Sequence, residues 1–219
     1  MMNIQEIYRP ILTHFRRQRL KLFYSYFNQL SESTRLLDVG GGLFFWNLAK
    51  NQGFKLPKIT IVNIYPNTDE LPENFTWVVA DGKKLPFDDE SFDIAFCNSV
   101  IEHVGDWEAQ SIFAQEIKRI APNYFVQTPS QSFPIEPHLL APFIHWLPKD
   151  TQRPLLRNFT GWGIITRPTA EECEKMLQEL KLLTRAEMAE LFPDSTIEVE
   201  KSWGLEKSVI AIKNSQKLG

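Results

Sequence analysis

Apolar positions along the chain alternate between two periods. Short apolar runs at 35–39, 58–64, 75–80, 92–98 and 124–128 are bounded by Gly, Pro, Asn or Asp and predict strands. Positions 43–52, closed by Gly53, and 106–120 repeat instead at helical spacing. The 65–74 connection holds Pro66 and Pro72 and is too short for much of a crossover helix. Such βαβ alternation implies a mainly parallel sheet with helices on both faces. Further on, residues 170–182 predict a helix, Thr184-Arg185-Ala186-Glu187 reads as a capping box opening another, and 196–203 and 207–213 alternate as two strands around Gly204. An antiparallel hairpin therefore ends an α/β sheet of seven strands.

Two stretches depart from this rhythm. Residues 4–30 place Ile4, Ile7, Ile11, Phe15, Leu22, Tyr26 and Leu30 on one face of a helix, with a break possible near Pro10, and set Arg16, Arg17, Arg19 and Lys21 on the other side. A basic amphipathic helix can lie peripherally on an anionic membrane or grip an acidic substrate; the commoner role is to cap a core with its basic side solvated. Residues 129–168 hold seven of the fourteen prolines, together with Phe133, Phe143, Trp146, Phe159 and Trp162. That is too long for an ordinary connection, and it is assigned to a substrate-binding cap, the rival being a structural cover for the sheet.

Length and composition narrow the classes. At 219 residues the chain suits one domain spanning 1–219. A net charge of −3 argues against a nucleic-acid partner held by bulk charge. Neither Cys97 nor Cys173 belongs to a Cys/His cluster of zinc-ligand spacing, so no metal site is expected. No apolar run reaches the length of a membrane span and no signal-peptide core opens the chain, which makes a cytoplasmic location the default.

The chemistry centres on Leu36-Leu37-Asp38-Val39-Gly40-Gly41-Gly42, a strand that runs through an acid into glycines and then a helix. Glycine lets the backbone turn sharply and a ligand approach the main chain, and the free amides of the next helix complete a nucleotide-like site. A dinucleotide fingerprint would place a third glycine where Phe45 stands. A nicotinamide-dependent oxidoreductase is thereby disfavoured.

The glycine segment, with Val79-Ala80-Asp81-Gly82, Leu85-Pro86-Phe87-Asp88-Asp89-Glu90-Ser91-Phe92-Asp93 and Ser99-Val100-Ile101-Glu102-His103-Val104, resembles the class I S-adenosylmethionine-dependent methyltransferases in order and spacing. The resemblance covers roughly residues 35–128 and, more loosely, the last fifth. It implies a Rossmann-like fold, S-adenosylmethionine as cofactor and a small-molecule acceptor. It further implies that Asp38, Gly40, Gly41 and Gly42 hold the methionine end, that Asn63 stands where relatives carry a ribose-binding acid, that Asp81 and Gly82 read the adenine, with Leu85-Pro86-Phe87 offering an apolar surface nearby, and that Asn98 faces the methyl-bearing end. His103 and, in the cap, His138 are the candidate proton acceptors; Glu102 is read as a scaffold residue and His145 as packing. Asn63 and Phe44, where many relatives have acid and glycine, leave a non-catalytic S-adenosylmethionine-binding or scaffolding protein as the alternative.

Overall fold

The computed structural model describes residues 4–215, with side chains described from Thr13 onward, so Ile4, Ile7 and Ile11 of the first helix's apolar face lie outside the described side chains. The central sheet comprises β1 (Arg35–Val39), β2 (Lys58–Asn63), β3 (Phe75–Val79), β4 (Ile94–Asn98), β5 (Asn123–Pro129), β8 (Thr196–Ser202) and β9 (Leu205–Lys213), in the order β3-β2-β1-β4-β5-β9-β8. The short strands β6 (Ile135–Glu136) and β7 (Ala141–Pro142) pair only with each other. β1 to β5 run parallel, while β9 is antiparallel to both β5 and β8. The predicted seven strands and terminal hairpin are therefore present. The hairpin turns on Trp203 and Gly204, both with positive φ, between paired Ser202 and Leu205.

The chain moves outward from β1 to β3 and then returns to place β4 on the other side of β1. This reversal opens a crevice where the carboxyl ends of β1 and β4 diverge, the place where open α/β sheets collect ligands. Alternation along β1 sends Leu36 into one apolar layer and Leu37 and Val39 into the other. On one side α1 (Ile4–Tyr26) and α2 (Leu43–Asn51) bury Leu20, Phe23, Phe45 and Trp46 against Phe96 and Phe125. Phe23 meets Trp46, Phe96 and Phe125 edge-on, a geometry that adds to simple area burial. On the other side α3 (Trp107–Ile120) and α7 (Arg185–Leu191) contribute Phe113, Ile117, Met188 and Leu191. The 65–74 connection carries no helix, as its length required.

Three features differ from the sequence reading. First, α1 continues through Pro10 and ends at Tyr26, four residues short of the apolar pattern. Its basic side is not wholly solvated: Arg19 is 5% exposed and donates from Nη2 to Glu200 Oε2 at 2.9 Å and from Nη1 to Asn98 Oδ1 at 2.5 Å. Lys207 Nζ and Ser208 Oγ donate to the same Glu200 oxygen, at 2.8 and 3.0 Å. Arg16 lies over the Phe44 ring, leaving Arg17 and Lys21 as the exposed basic residues of this stretch. Among the described residues, no helix is long and apolar enough to cross a membrane.

Second, the 129–168 stretch is not loop. It contains β6, β7, a 3₁₀ turn at Ile144–Trp146, α4 (Lys149–Phe159) and α5 (Gly161–Thr166), and it packs with α6 (Ala170–Glu179). Leu139, Ala141, Ile144, Leu156, Cys173 and Leu177 form its own apolar core, apart from the two layers of the sheet. The prolines obscure this: Pro148 sits at the N-cap of α4, where a missing N–H costs nothing, while Pro154 lies inside the helix and interrupts the pattern. Of the aromatic residues, Phe133 is buried and Trp162 packs on this core, but Phe143, Trp146 and Phe159 are at least half exposed.

Third, Leu85 turns inward onto α3 instead of lining the crevice, and Phe87 packs beside it. Arg119 fixes the segment by donating to the carbonyls of Leu85 and Phe87, and Glu116 accepts from the Leu85 amide.

Candidate active site at the switch of the sheet

The turn after β1 has a demanding geometry. Gly40 has φ +75° and donates its amide to Val62 O at 2.7 Å; a Cβ there would lie 2.5 Å from Val100 on the strand-end opposite. A Cβ on Gly41 would fall 1.9 Å from Asp38 Oδ2, so only glycine lets the backbone fold this closely over the acid. Gly42 is extended and faces open space, with no atom within 4 Å of a Cβ built on it. It caps α2 without a side-chain hydrogen bond, leaving the first amides of that helix uncapped by its own side chain.

Asp38 lies beneath this turn at 1% exposure. Trp46 donates its indole N–H to Oδ2 at 2.7 Å, and Oδ1 is buried without a partner among the described residues. Burial raises the carboxyl to about pKa 7, against the opposing pull of the indole bond.

Asn63, at the tip of β2, grips the turn from the side. Its Nδ2 donates to Gly41 O at 3.0 Å and Gly40 O at 3.4 Å, and its Oδ1 accepts from the Tyr65 amide. An aspartate could not make the two donations, so the amide in place of an acid has a local reason. Ile64 and Tyr65, just beyond, are 60% and 66% exposed, an apolar rim beside the turn. Asp81 accepts from the Lys83 amide at 2.9 Å and keeps a half-exposed carboxylate, with Lys83 Nζ 3.6 Å away. Gly82 touches the core: a Cβ there would meet Phe113 at 2.6 Å. Asn98 ends β4 with its carbonyl oxygen occupied by Arg19.

Beyond β4, a 3₁₀ turn at Ile101–His103 carries Glu102 and His103, and the β6–β7 connection carries His138. The two imidazoles, 35 residues apart in sequence, meet with Nε2 to Nε2 at 3.1 Å and share one proton between them. His138 Nδ1 lies 2.7 Å from Glu136 Oε1, and Glu136 is itself wholly buried and accepts from the Leu139 amide. Glu102, also wholly buried, accepts from Thr128 Oγ1 at 3.0 Å, while its Oε1 stands 3.9 Å from His138 Nε2 with no hydrogen-bond partner. Burial raises the Glu102 carboxyl despite the nearby His138. For His138, burial opposes charging but the bond to Glu136 and the charges of Glu136 and Glu102 prevail, so its pKa rises. His103 has one edge in solvent; burial of the rest of the ring, then repulsion from His138, lowers it to about 4. Of the two imidazoles, His138 is thus the one that holds a proton more tightly, with His103 neutral beside it.

His145, read as packing, bonds through Nε2 to Gln131 O at 3.0 Å. It also helps to line a cavity of about 300 Å³ under the cap with Leu139, Leu147, Met176 and Leu182. That cavity takes no wall from the glycine turn or the His103–His138 pair. Sequence reasoning missed Trp46 as the partner of Asp38, and Thr128 and Glu136 as the groups orienting Glu102 and His138. An indole one turn into the helix after a buried acid was the one local signal available.

Residues 37–123 match the family model described as a methyltransferase domain. Among curated proteins, none matches the chain in sequence. Among solved structures, the chain is similar to Burkholderia thailandensis 1,6-didemethyltoxoflavin-N1-methyltransferase with bound 1,6-didemethyltoxoflavin and S-adenosylhomocysteine, at 15% identity over 98% of this chain and 92% of that one, with a TM-score of 0.56. It is similar to magnesium protoporphyrin IX methyltransferase of Synechocystis PCC 6803 with bound SAH, at 12% identity, 98% and 89% coverage and a TM-score of 0.55. A Rhodobacter sphaeroides protein provisionally described as a Zn-dependent alcohol dehydrogenase reaches 0.56 at 10% identity over 86% and 87% of the two chains. Likeness at these identities speaks for the fold alone, and the family match over the glycine turn and the switch of the sheet speaks for the domain. The chain has the class I S-adenosylmethionine-dependent methyltransferase fold, with its methyltransferase domain at residues 37–123.

Proposed function

We propose that the protein is an S-adenosylmethionine-dependent methyltransferase acting on a small-molecule acceptor. The observation that carries this reading is the glycine turn folded over Asp38, whose Oδ1 is a buried acceptor without a partner beside an open Gly42. A cationic amino group entering the turn would draw Asp38 into its ionised form and satisfy that atom. Asn63 holds the turn's carbonyls in place, the exposed Ile64 and Tyr65 suit the flat face of a base, and the half-exposed Asp81 carboxylate can accept from an exocyclic amine. When bound, the cofactor supplies an activated methyl on a sulfonium; the chain's task is to hold the acceptor in line with it, and placement of this kind is worth up to about 7–11 kcal/mol of barrier.

His103 and His138 are assigned to the acceptor's proton. His103, neutral and at the solvent edge, accepts it at a ring nitrogen, and His138, held by Glu136, orients that imidazole. The acceptor is assigned to the solvent side of His103, where the cap brings His138 to the turn after β4. The commitment of Asn63 to the turn favours a second reading, a protein that binds the cofactor without transferring its methyl. Calorimetric titration of the full chain with S-adenosylmethionine, followed by assay of S-adenosylhomocysteine release over a metabolite extract, tests both. Saturable heat with release supports the enzyme, heat without release the second reading, and no heat from folded protein at millimolar ligand overturns both.

A further inference from the structure

We propose that Glu102, His103 and His138 form a site for a divalent transition-metal cation of the Zn²⁺ class, one that ties the cap to the sheet. Glu102, His103 and His138 each bring one ligand atom to within 4.8 Å of the other two. Ligands at the ~2.0–2.1 Å distances of a tetrahedral zinc stand about 3.3 Å apart. The two imidazole nitrogens are already at 3.1 Å, and Glu102 Oε1, at 3.9 Å from His138 Nε2, has to close by about 0.6 Å to reach that spacing.

Two independent observations favour a ligand over a purely structural cluster. Glu102 is 0% exposed, and its Oε1, directed at the imidazoles, has no hydrogen-bond partner. A buried acceptor left in this state loses its hydration with nothing in return. The groups behind the three ligands also have the arrangement that orients metal ligands: His138 turns its Nδ1 to the buried Glu136 carboxylate at 2.7 Å, and Thr128 Oγ1 holds the far oxygen of Glu102 at 3.0 Å. With Nδ1 donating to Glu136, His138 would offer the ion a lone pair at Nε2 once that nitrogen releases its proton. Two imidazoles and one carboxylate suit a borderline transition cation, whereas Mg²⁺ and Ca²⁺ prefer oxygen-only shells.

The placement gives such an ion a consequence. Glu102 and His103 belong to the turn after β4, and His138 belongs to the β6–β7 connection of the cap, so the ion would join the two parts of the chain by direct bonds. Three protein ligands leave a fourth position on the solvent side, beside His103, for water or an anionic oxygen of an acceptor. In the loaded form both imidazoles would be ligands, and the cation would supply the lowering of a bound acceptor's pKa in their place. The site rests on these side chains alone and stands whether or not methyl transfer is the activity.

The test is titration of chelator-treated full-length protein with Zn²⁺ by calorimetry, with Co²⁺ as a spectroscopic substitute and Mg²⁺ as competitor. One equivalent of Zn²⁺ should bind, Co²⁺ should give the intense visible absorption of a low-coordinate site, and Mg²⁺ should not compete. His138→Ala should weaken binding at least 100-fold, and Glu136→Gln, which keeps an oxygen for the Leu139 amide but weakens the hold on the imidazole, about 10-fold or more. His103→Ala alters a partly exposed ring that the fold does not need, and it should also weaken Zn²⁺ at least 100-fold with an unchanged circular dichroism spectrum. Absence of saturable Zn²⁺ binding, equal affinity in wild type and His103→Ala, or competition by Mg²⁺ at similar concentration would each overturn the assignment.

Discussion

The indole of Trp46 donates to Oδ2 of Asp38 at 2.7 Å, clasping the glycine turn between the end of β1 and the first turns of α2. The acid therefore shapes the turn from below, and among the described residues the one hydrogen bond to its carboxylate comes from a side chain that the turn itself delivers. Trp46→Phe removes that donor while keeping much of the apolar packing against Phe23, Phe45 and Phe96. Both Asp38 oxygens are then unpaired. Chemical denaturation should show a loss of about 1–3 kcal/mol, and Trp46→Leu should lose more through the cavity it opens.

The pH dependence of stability carries the mark of the same carboxyl. Asp38 is raised to about pKa 7 in the folded chain from 3.8. Below the unfolded value the group is protonated in both states and costs nothing. Between that value and about 7 the unfolded chain is ionised while the folded chain holds the proton, so stability falls as pH rises, at up to about 1.4 kcal/mol per pH unit, and levels off above. Glu200 works in the other direction: burial opposes its charge, but Arg19 and Lys207 outweigh that and depress its pKa, so its contribution is present above 4.5 and is lost as pH falls. Urea unfolding at pH 5 and pH 8 should find the wild type weaker at pH 8 by more than Asp38→Asn is. Equal slopes in the two proteins would refute the assignment.

Neighbouring glycines should separate fold from ligand. Gly41→Ala drives a methyl onto the Asp38 carboxylate and should both lower the melting temperature and abolish S-adenosylmethionine binding. Gly42→Ala meets no protein atom and should unfold within about 0.5 kcal/mol of wild type. Because that methyl would point into the open side of the turn, cofactor affinity should still fall about 10-fold or more, an effect of roughly 1.4 kcal/mol on binding. Paired calorimetry and thermal melts read the two outcomes apart.

Arg19 anchors the first helix to the last hairpin across 181 residues of sequence. Arg19→Ala leaves the buried Glu200 with only Lys207 and Ser208, and should cost about 3 kcal/mol. Arg19→Lys should recover part of this, since an ammonium cannot span Glu200 and Asn98 with a two-pronged group. Equilibrium denaturation of the two variants beside the wild type checks the order.

What was readable in the sequence follows the range of the interaction. The alternation at 35–39, the closing Gly53 and the turn at Gly204 depend on neighbours a few residues away, and each element formed where its local chemistry placed it. The mainly parallel sheet followed from the alternation of strand and helix signals, and the glycine crevice from the acid and glycines that end β1. The meeting of His103 with His138, the burial of Glu102 and the pairing of Arg19 with Glu200 depend on distant chain segments, and nothing in their immediate surroundings marks them. Arg19 sits in a basic run that looks solvated until β8 and β9 close over it. In the cap, proline density suggested irregular chain, although Pro148 begins a helix and Pro154 is carried inside one. Asn63 was read as a weakened ribose ligand, yet its two donations to Gly40 and Gly41 carbonyls explain its presence on grounds of loop architecture.

The separate packing of Leu139, Ala141, Ile144, Leu156, Cys173 and Leu177 divides the labour within the molecule. Substitutions there would remodel the roof without displacing a strand, so under the proposed function variation in it would retune which guest is admitted while the floor beneath stays constant. Such independence makes the roof the natural place to graft a new specificity by recombination.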